Sequence, residues 1–261
     1  MQEIKTYKTA DLVLQVNKNY DPTKLNLEAW GRYLDILCGD RQFQKESIQK
    51  AIIFLASGLY EDIQGVVIEN YNNPHNTEMR SRYNTLDDYL HQLQLPNKLS
   101  ATIDLATGTG KSYVIYGIAQ IMLGLGLVDR VLVLCPSLTI EDGLIEKFKL
   151  LSQDATLLKA IPDESKWKNP SIKTAQVTIK EGDICVENIH AAYEKTGSSI
   201  KDSFSGNGGR TLVLNDECHH IFNSIESRDK ETQSLKKWKE LLQNTEYNFK
   251  YILGFTGTAY I

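Results

Sequence analysis

The stretch LATGTGKS, residues 105–112, lies between two apolar runs, 101–105 and 113–123. This order predicts a strand, a glycine loop and then a helix. The two glycines allow a tight turn in which several backbone N–H groups point at one spot. The start of the helix adds unpaired N–H groups with a partial positive charge, and Lys111 adds a full charge. The stretch therefore predicts a cradle for phosphate groups.

The stretch follows the P-loop pattern G-x-x-x-x-G-K-[ST] except at its first position, where Leu105 stands. We expect it to bind the β and γ phosphates of a nucleotide, with the Ser112 hydroxyl available to a phosphate-bound Mg²⁺. The alternative interpretation is a glycine turn that only starts a helix. The predicted phosphate-binding residues are Thr107, Gly108, Thr109, Gly110, Lys111 and Ser112.

Composition limits the class of protein. Of the 261 residues, 41% are hydrophobic and 24% charged, which is typical of a soluble globular protein of one or two domains. No apolar stretch is long enough to cross a bilayer and the N terminus lacks an apolar signal region, so we expect a cytoplasmic protein with no membrane partner. The charge of −4 gives no support for nucleic-acid binding, although a local basic groove is compatible with it. The four widely spaced cysteines favour buried thiols over disulfides.

The remaining segments were assigned from hydrophobic periodicity. Apolar runs at 130–134, 183–186, 211–214 and 251–255 predict buried strands of a parallel sheet. Weaker patterns predict strands at 9–14, 66–68, 156–158 and 175–179. Helices are predicted at 26–37, 40–57 (with Asp40 as N-cap), 86–93, 139–151, 188–195 and 234–243. The segment 58–98 is interpreted as an insertion and 197–210 as a flexible surface loop.

Two adjacent acids, Asp216 and Glu217, follow the apolar run 211–214. Ligands of parallel α/β sheets bind at the carboxyl ends of the strands, so these side chains are expected at the site. Hydrolysis of a phosphoanhydride needs a metal and a group that orients water, roles that suit Asp216 and Glu217 respectively. The alternatives are two solvated acids in a turn, or a zinc site with Cys218, His219 and His220. Zinc is disfavoured because neighbouring side chains diverge and no second ligand pair has a metal-binding spacing.

Three motifs now occur in order: ATGTGKS, DECHH (216–220) and FTGTA (255–259). They resemble motifs I, II and III of superfamily 2 helicases and translocases, and are most similar to the DEAD/DEAH-box family that includes the Res subunits of type III and type I restriction enzymes. RQFQ (41–44), VLCPS (133–137) and VENI (186–189) resemble, more weakly, the Q-motif, motif Ia and a DNA-facing segment. The resemblance covers 38–261 and leaves 1–37 as an N-terminal extension.

The resemblance implies an α/β, RecA-like P-loop NTPase domain with a mainly parallel sheet flanked by helices, and it implies specific roles. Gln44 would recognise adenine, and Lys111 would bind phosphate. Ser112 and Asp216 would hold Mg²⁺, and Glu217 would act as the base. His219 would couple the ATP site to Thr256 and Thr258, and the residues near the DNA backbone would be Pro136, Ser137 and Asn188. From its residue type alone, Gln44 could equally be a solvated side chain at a helix start. Two departures from the family are Leu105 and Ala259, which stands where proline often follows TGT.

The resemblance implies the first motor domain of a DNA helicase or translocase of a restriction or phage-defence system, with ATP and Mg²⁺ as cofactors. DNA is the expected partner, and RNA is also compatible. Because the sequence stops after motif III, we expect a second RecA-like domain, which supplies an arginine to the ATP site, and nuclease or modification subunits as further partners. The alternative is a non-motor P-loop module that binds ATP as a structural or regulatory ligand. Glu217 argues against it, since a binding module needs no base.

Overall fold

The computed structural model describes residues 13–189, 198–218 and 238–257. Its strands are β1 (Leu99–Asp104), β2 (Arg130–Cys135), β3 (Ser171–Lys173), β4 (Asp183–Asn188), β5 (Thr211–Asn215) and β6 (Tyr251–Thr256). They form one six-stranded sheet in the order β1-β6-β5-β2-β4-β3, and each neighbouring pair is parallel. The α/β class and parallel sheet expected from the sequence are confirmed.

Helices connect the strands. They are α1 (Gly31–Cys38), α2 (Gln42–Ala56), α3 (Ile63–Asn72), α4 (Thr77–Arg82), α5 (Leu86–Leu90), α6 (Lys111–Gly124), α7 (Leu138–Gln153), α8 (Ala155–Ala160) and α9 (Ile200–Phe204). Short 3₁₀ helices cover Glu28–Trp30 and Gly208–Arg210, and residues 238–243 are also helical. Among the described residues, no helix has both the length and the apolar character needed to span a membrane.

The core lies on both faces of the sheet. Successive residues of a strand point to opposite faces, so Val131 and Val133 of β2 belong to one buried cluster and Leu132 and Leu134 to another. The first cluster includes the apolar side chains of α2 and α6, and the second includes Trp238. This two-sided burial explains why the strands read as continuous apolar runs. All four cysteines are buried and free, as the sequence indicated.

The parallel arrangement places the carboxyl ends of the strands at one edge of the sheet. The segments that leave β1, β2, β4, β5 and β6 at that edge carry the motifs noted in the sequence. Within the described chain, β1 is an edge strand that pairs only with β6. It nevertheless carries the glycine loop, so the loop lies beside the end of β6.

Three strand predictions were wrong, two of them because local capping favours helix. Residues 66–68 lie in α3, where the Asp62 side chain accepts hydrogen bonds from the N–H groups of Gln64 and Gly65. Residues 156–158 lie in α8, which the Asp154 side chain caps in the same way. Residues 175–179 form no strand; the short strand β3 precedes them instead. An Asp cap outweighs the weak β preference of Val, Ile and Thr in a short segment.

Other boundaries also differ. The predicted loop 197–210 contains α9, because Ile200 and Phe204 are buried one turn apart. Asp40 is not the N-cap of α2; Arg41 takes that position and makes no side-chain cap. The predicted strand at 9–14 is absent at residues 13–14, and its first residues lie outside the described chain. The first residue of the predicted helix 188–195 is instead the last residue of β4. The part of that prediction beyond residue 189 lies outside the described residues.

The first described residues are attached to α3 and to Tyr60, which precedes it. The buried amide of Asn70 in α3 accepts a hydrogen bond from Gln15 N (2.8 Å) and donates one to Gln15 O (2.8 Å). The N–H of Asn17 donates to Tyr60 Oη (3.0 Å). These bonds satisfy backbone groups of an extended segment that has no strand partner among the described residues.

Candidate nucleotide and metal site

The glycine loop joins β1 to α6, as the sequence predicted. Gly108 and Gly110 have φ values of 80° and 81°, in the left-handed region that glycine adopts without strain. Gly110 is the N-cap of α6, so the first turn of that helix begins at Lys111. The loop is held at its base by the N–H of Leu105, which donates to Thr256 O (2.8 Å). The result is a turn with N–H groups of the helix N terminus at its open side.

Lys111 and Glu217 form an ion pair across the site. The side chains are 10% and 22% exposed, so both ends of the pair are partly withdrawn from water. Glu217 has a φ of 51°, a left-handed conformation that is uncommon for a residue with a side chain. Backbone strain of this kind is typical of functional positions.

Asp216 is more deeply buried than its neighbour, at 7% exposure. Its N–H donates to Leu134 O (2.8 Å), and its carboxylate accepts a hydrogen bond from Glu217 N (3.1 Å). Burial raises the pKa of Asp216 to about 6, and the nearby Lys111 charge opposes this rise. The adjacent acids thus face different surroundings, one buried and one paired with the lysine of the loop.

The donors suit a magnesium ion. A hydroxyl (Ser112) and a carboxylate (Asp216) are oxygen ligands of the kind that Mg²⁺ prefers, and Mg²⁺ commonly takes its other ligands from phosphates and water. No group of three His, Cys, Asp or Glu side chains in the described residues could hold a metal ion by itself.

Gln44 lies beside the loop and is fully buried. Its Nε2 donates to Thr109 O (2.6 Å), so the amide group supports the loop directly. Its Oε1 is buried and accepts no hydrogen bond from the described residues. A buried acceptor without a donor is costly, and a donor brought by a ligand would offset that cost. A Cβ on Gly110 would lie 2.6 Å from Nε2, so glycine is required there for packing as well as for conformation.

The end of β6 contacts both the glycine loop and the segment that follows β5. A Cβ on Gly257 would lie 2.9 Å from both the N and the Oγ1 of Thr107, which shows how closely this turn approaches the loop. The N–H of Cys218 donates to Phe255 O (2.9 Å). Thr256 is buried next to these contacts. His219 and Thr258, the other predicted coupling residues, lie outside the described residues.

The predicted nucleic-acid residues lie at the same edge of the sheet. Pro136 and Ser137 are half-buried after β2, and the Ser137 side chain caps α7 by accepting a bond from Ile140 N (3.4 Å). Asn188 is only 2% exposed, and its backbone N–H donates to Glu141 Oε2 (2.9 Å), which also accepts from its side-chain amide. The structure therefore gives Asn188 a packing contact with α7, and contact with nucleic acid stays a prediction.

Sequence analysis missed Asn215, the last residue of β5. Its buried side chain donates to Leu253 O of β6 (3.2 Å) and accepts from Trp238 Nε1 (2.8 Å). These bonds fix the end of β5, and with it the acids that follow, against β6. A polar residue at the end of a buried apolar run was the signal that could have identified it.

The parallel sheet, the glycine loop before α6 and the two acids after β5 define a P-loop nucleotide-binding α/β domain. A family model described as the type III restriction enzyme, res subunit, matches residues 41–261, and the chain belongs to this family. It is a helicase-type ATP-binding motor domain of superfamily 2 with a RecA-like fold.

Among solved structures, the UvsW helicase from bacteriophage T4 is similar, with a TM-score of 0.35 and 17% identity. The match covers 66% of this chain and 58% of that chain, so this chain spans little more than half of its length. No curated protein matches the sequence.

Proposed function

We propose that this chain binds Mg·ATP at the glycine loop and is the ATP-hydrolysing first motor domain of a DNA helicase or translocase of a restriction or phage-defence system. The observation that carries the proposal is the contact between Lys111 and Glu217, with Asp216 beside it. This contact brings a phosphate-binding cation, an acid suited to metal and an acid suited to water into one site.

Each residue has a distinct part in hydrolysis. Lys111 and the N–H groups of the loop bind and orient the phosphates. Ser112 and Asp216 would hold Mg²⁺, which neutralises charge on the phosphates when bound. Glu217 is placed to accept a proton from the attacking water once phosphate draws Lys111 away from it. The buried Oε1 of Gln44 would accept a hydrogen bond from the N6 amino group of adenine.

The turn after β6 is suited to coupling. Thr256 and Gly257 contact the glycine loop at Leu105 and Thr107, and Phe255 contacts Cys218. A movement of the glycine loop on phosphate binding would therefore be transmitted to the end of β6 through these direct contacts. His219 and Thr258 would extend this link, and nucleic acid would bind near Pro136 and Ser137, with Asn188 behind them. DNA is the proposed partner, and RNA would meet the same edge.

The proposal includes parts outside this chain. A second RecA-like domain would supply the arginine that faces the γ phosphate, and nuclease or modification subunits would complete a restriction system. The proposed location is the cytoplasm. The other candidate, a non-motor ATP-binding module, is disfavoured by Glu217, because a module that only binds ATP needs no base beside the phosphates.

The deciding experiment measures ATP hydrolysis with and without DNA in a polypeptide that joins this chain to a second RecA-like domain. We expect DNA to stimulate hydrolysis, and Glu217→Gln to abolish the stimulated rate while ATP binding persists. A protein that binds ATP with no DNA-stimulated hydrolysis would instead favour the binding module. Stimulation by RNA alone would correct the proposed partner.

A further inference from the structure

Tyr113 lies next to the glycine loop and carries two cations on its ring. It is the third residue of α6, directly after Ser112, and its Cδ2 would lie 3.5 Å from a Cβ on Gly110. The guanidinium of Arg41 lies 5.7 Å from the centre of the ring, and the ammonium of Lys147 lies 5.2 Å from it. Lys147 Nζ is also 3.5 Å from Tyr113 Oη. Three helices therefore bring these groups together: α2, α6 and α7.

The packing of α6 on α7 fixes this arrangement. One turn beyond Tyr113, Tyr116 packs against Phe148 with ring centres 5.4 Å apart. Both are buried, and Phe148 follows Lys147 directly. The Lys147 side chain thus starts beside a well-packed contact, and its ammonium lies over the ring of Tyr113.

The two cations lack carboxylate partners. Elsewhere Lys45, Lys111, Lys166, Lys173 and Arg210 are paired with acids. Among the described residues, no ion pair includes Arg41 or Lys147. Each cation is attracted by the ring, but the two like charges repel each other, so an anion bound between or beside them would be stabilised.

The position of the Tyr113 ring indicates which phosphate of a nucleotide the two cations would face. Gln44 and Tyr113 flank Gly110, whereas Lys111 extends from the start of α6 to Glu217. With the γ phosphate near Glu217 and the base near Gln44, the α phosphate would lie at the Tyr113 end of the loop. A lysine is a mobile point charge that suits a single phosphate group.

We propose that Lys147, positioned by the ring of Tyr113, binds the α phosphate of the nucleotide, a second lysine contact in addition to Lys111. The inference rests on the proposed function, since it requires a nucleotide at the glycine loop. It adds a binding residue from α7, a helix that the sequence motifs do not assign to the ATP site. Because AMP, ADP and ATP share the α phosphate, Lys147 should contribute to all three equally.

The test is displacement of a fluorescent ADP analogue from the 261-residue chain by AMP, ADP and ATP. Lys147→Met keeps the apolar stem and removes the charge. We expect it to weaken all three nucleotides about tenfold, the loss of roughly one charge-assisted hydrogen bond. Lys147→Arg should restore most of the affinity. Lys149→Met, an exposed lysine on the same helix, is the matched control and should bind like the wild type.

The outcomes separate the inference from the proposed function. Unchanged affinities in Lys147→Met, together with loss of ATP and ADP binding in Lys111→Ala, would overturn the inference and leave the nucleotide site intact. Equal losses of nucleotide affinity in Lys147→Met and Lys149→Met would show a general electrostatic effect of removing a lysine. That result would also overturn the inference. A loss confined to ATP would place Lys147 at the γ phosphate, contrary to the inference. A wild-type chain that binds no nucleotide would overturn both.

Discussion

Lys111 and Glu217 are 106 residues apart in sequence, and their side chains form an ion pair at the carboxyl edge of the sheet. The lysine that we propose to bind phosphate and the acid that we propose to activate water are thus partners of each other. In this proposal a triphosphate at the loop would compete with Glu217 for the Lys111 ammonium. Phosphate binding would therefore free the carboxylate at the moment when a base is needed.

The first prediction concerns Lys111. We expect Lys111→Ala to weaken ATP binding by more than about tenfold, because a hydrogen bond to a charged group contributes roughly 1.5–3 kcal/mol. Calorimetric titration of the 261-residue chain measures the change, with Lys149→Ala as a control for the loss of one lysine. Wild-type ATP affinity in Lys111→Ala would be incompatible with the assignment of the loop.

The second prediction concerns Glu217. Glu217→Gln removes the negative charge that competes for Lys111, so we expect Mg·ATP affinity to be equal to or higher than that of the wild type. Turnover in a polypeptide that also contains a second RecA-like domain should be lost, because an amide cannot accept the proton of the water. Equal losses of binding and turnover would place Glu217 on the metal, and retained turnover would exclude it as the base.

The third prediction uses the surroundings of Asp216. Burial raises its pKa from 3.8 to about 6, which means that the folded protein disfavours the charged form. The free energy of unfolding should therefore fall as the pH rises from about 4 to about 6, where the unfolded chain ionises this group first. Asp216→Asn should stabilise the Mg²⁺-free protein at pH 7.5 by about 1–3 kcal/mol and have little effect at pH 4.

Urea denaturation of the wild type and Asp216→Asn at both pH values measures this difference. The variant should at the same time lose Mg²⁺-dependent ATP binding, so that stability and function change in opposite directions. A variant that is less stable than the wild type at pH 7.5 would show that the carboxylate is stabilising in the folded protein, contrary to the prediction.

The fourth prediction concerns nucleotide choice. The Nε2 of Gln44 already bonds Thr109 O, so Oε1 is the atom left for a ligand. An acceptor matches the N6 amino group of adenine and opposes the O6 acceptor of guanine. Gln44→Ala should weaken ATP binding by about five- to tenfold and GTP binding by less. Gly108→Ala is the control that should weaken both nucleotides equally, because its positive φ strains the loop and its Cβ would meet no atom within 4 Å.

The sequence predicted the central strands and the glycine loop well, and their physical basis explains why. Strands β2, β4, β5 and β6 are buried on both faces, so their apolar runs are unambiguous. The glycines of the loop need positive φ, and that requirement is visible as residue type. By contrast, residues 66–68 have β-branched side chains, which favour a strand, yet they lie in a helix that Asp62 caps. Their residue types alone therefore indicated the wrong element.

Contacts between distant residues could not be predicted in this way. Asn188 is bonded to Glu141, 47 residues earlier, and Gln44 to Thr109, 65 residues later. Lys147 reaches Tyr113 only because α7 packs on α6. Each of these pairs depends on how closely two elements pack. Local sequence patterns predict the elements themselves, but they do not predict the distance between them.

The last prediction concerns the chain by itself. Transfer of the γ phosphoryl group builds negative charge on its outer oxygens, and an arginine on that side is worth about 10³–10⁵ in rate in related systems. Arg210 is bonded to Asp129, and Arg130 to Ile179 O, both at the amino edge of the sheet, opposite the loop. Arg41 lies over the ring of Tyr113. None of these three arginines faces the γ phosphate.

The 261-residue chain should therefore bind ATP and hydrolyse it at a rate close to background, and DNA should not stimulate it. Joining a second RecA-like domain should raise the rate by roughly 10³-fold or more, the contribution of an arginine supplied from outside. The two hydrolysis rates are compared by steady-state phosphate release. Both polypeptides are measured at matched concentrations, and Glu217→Gln serves as the blank. A DNA-stimulated rate from the chain alone that equals that of the longer polypeptide would show that the ATP site is complete within this domain.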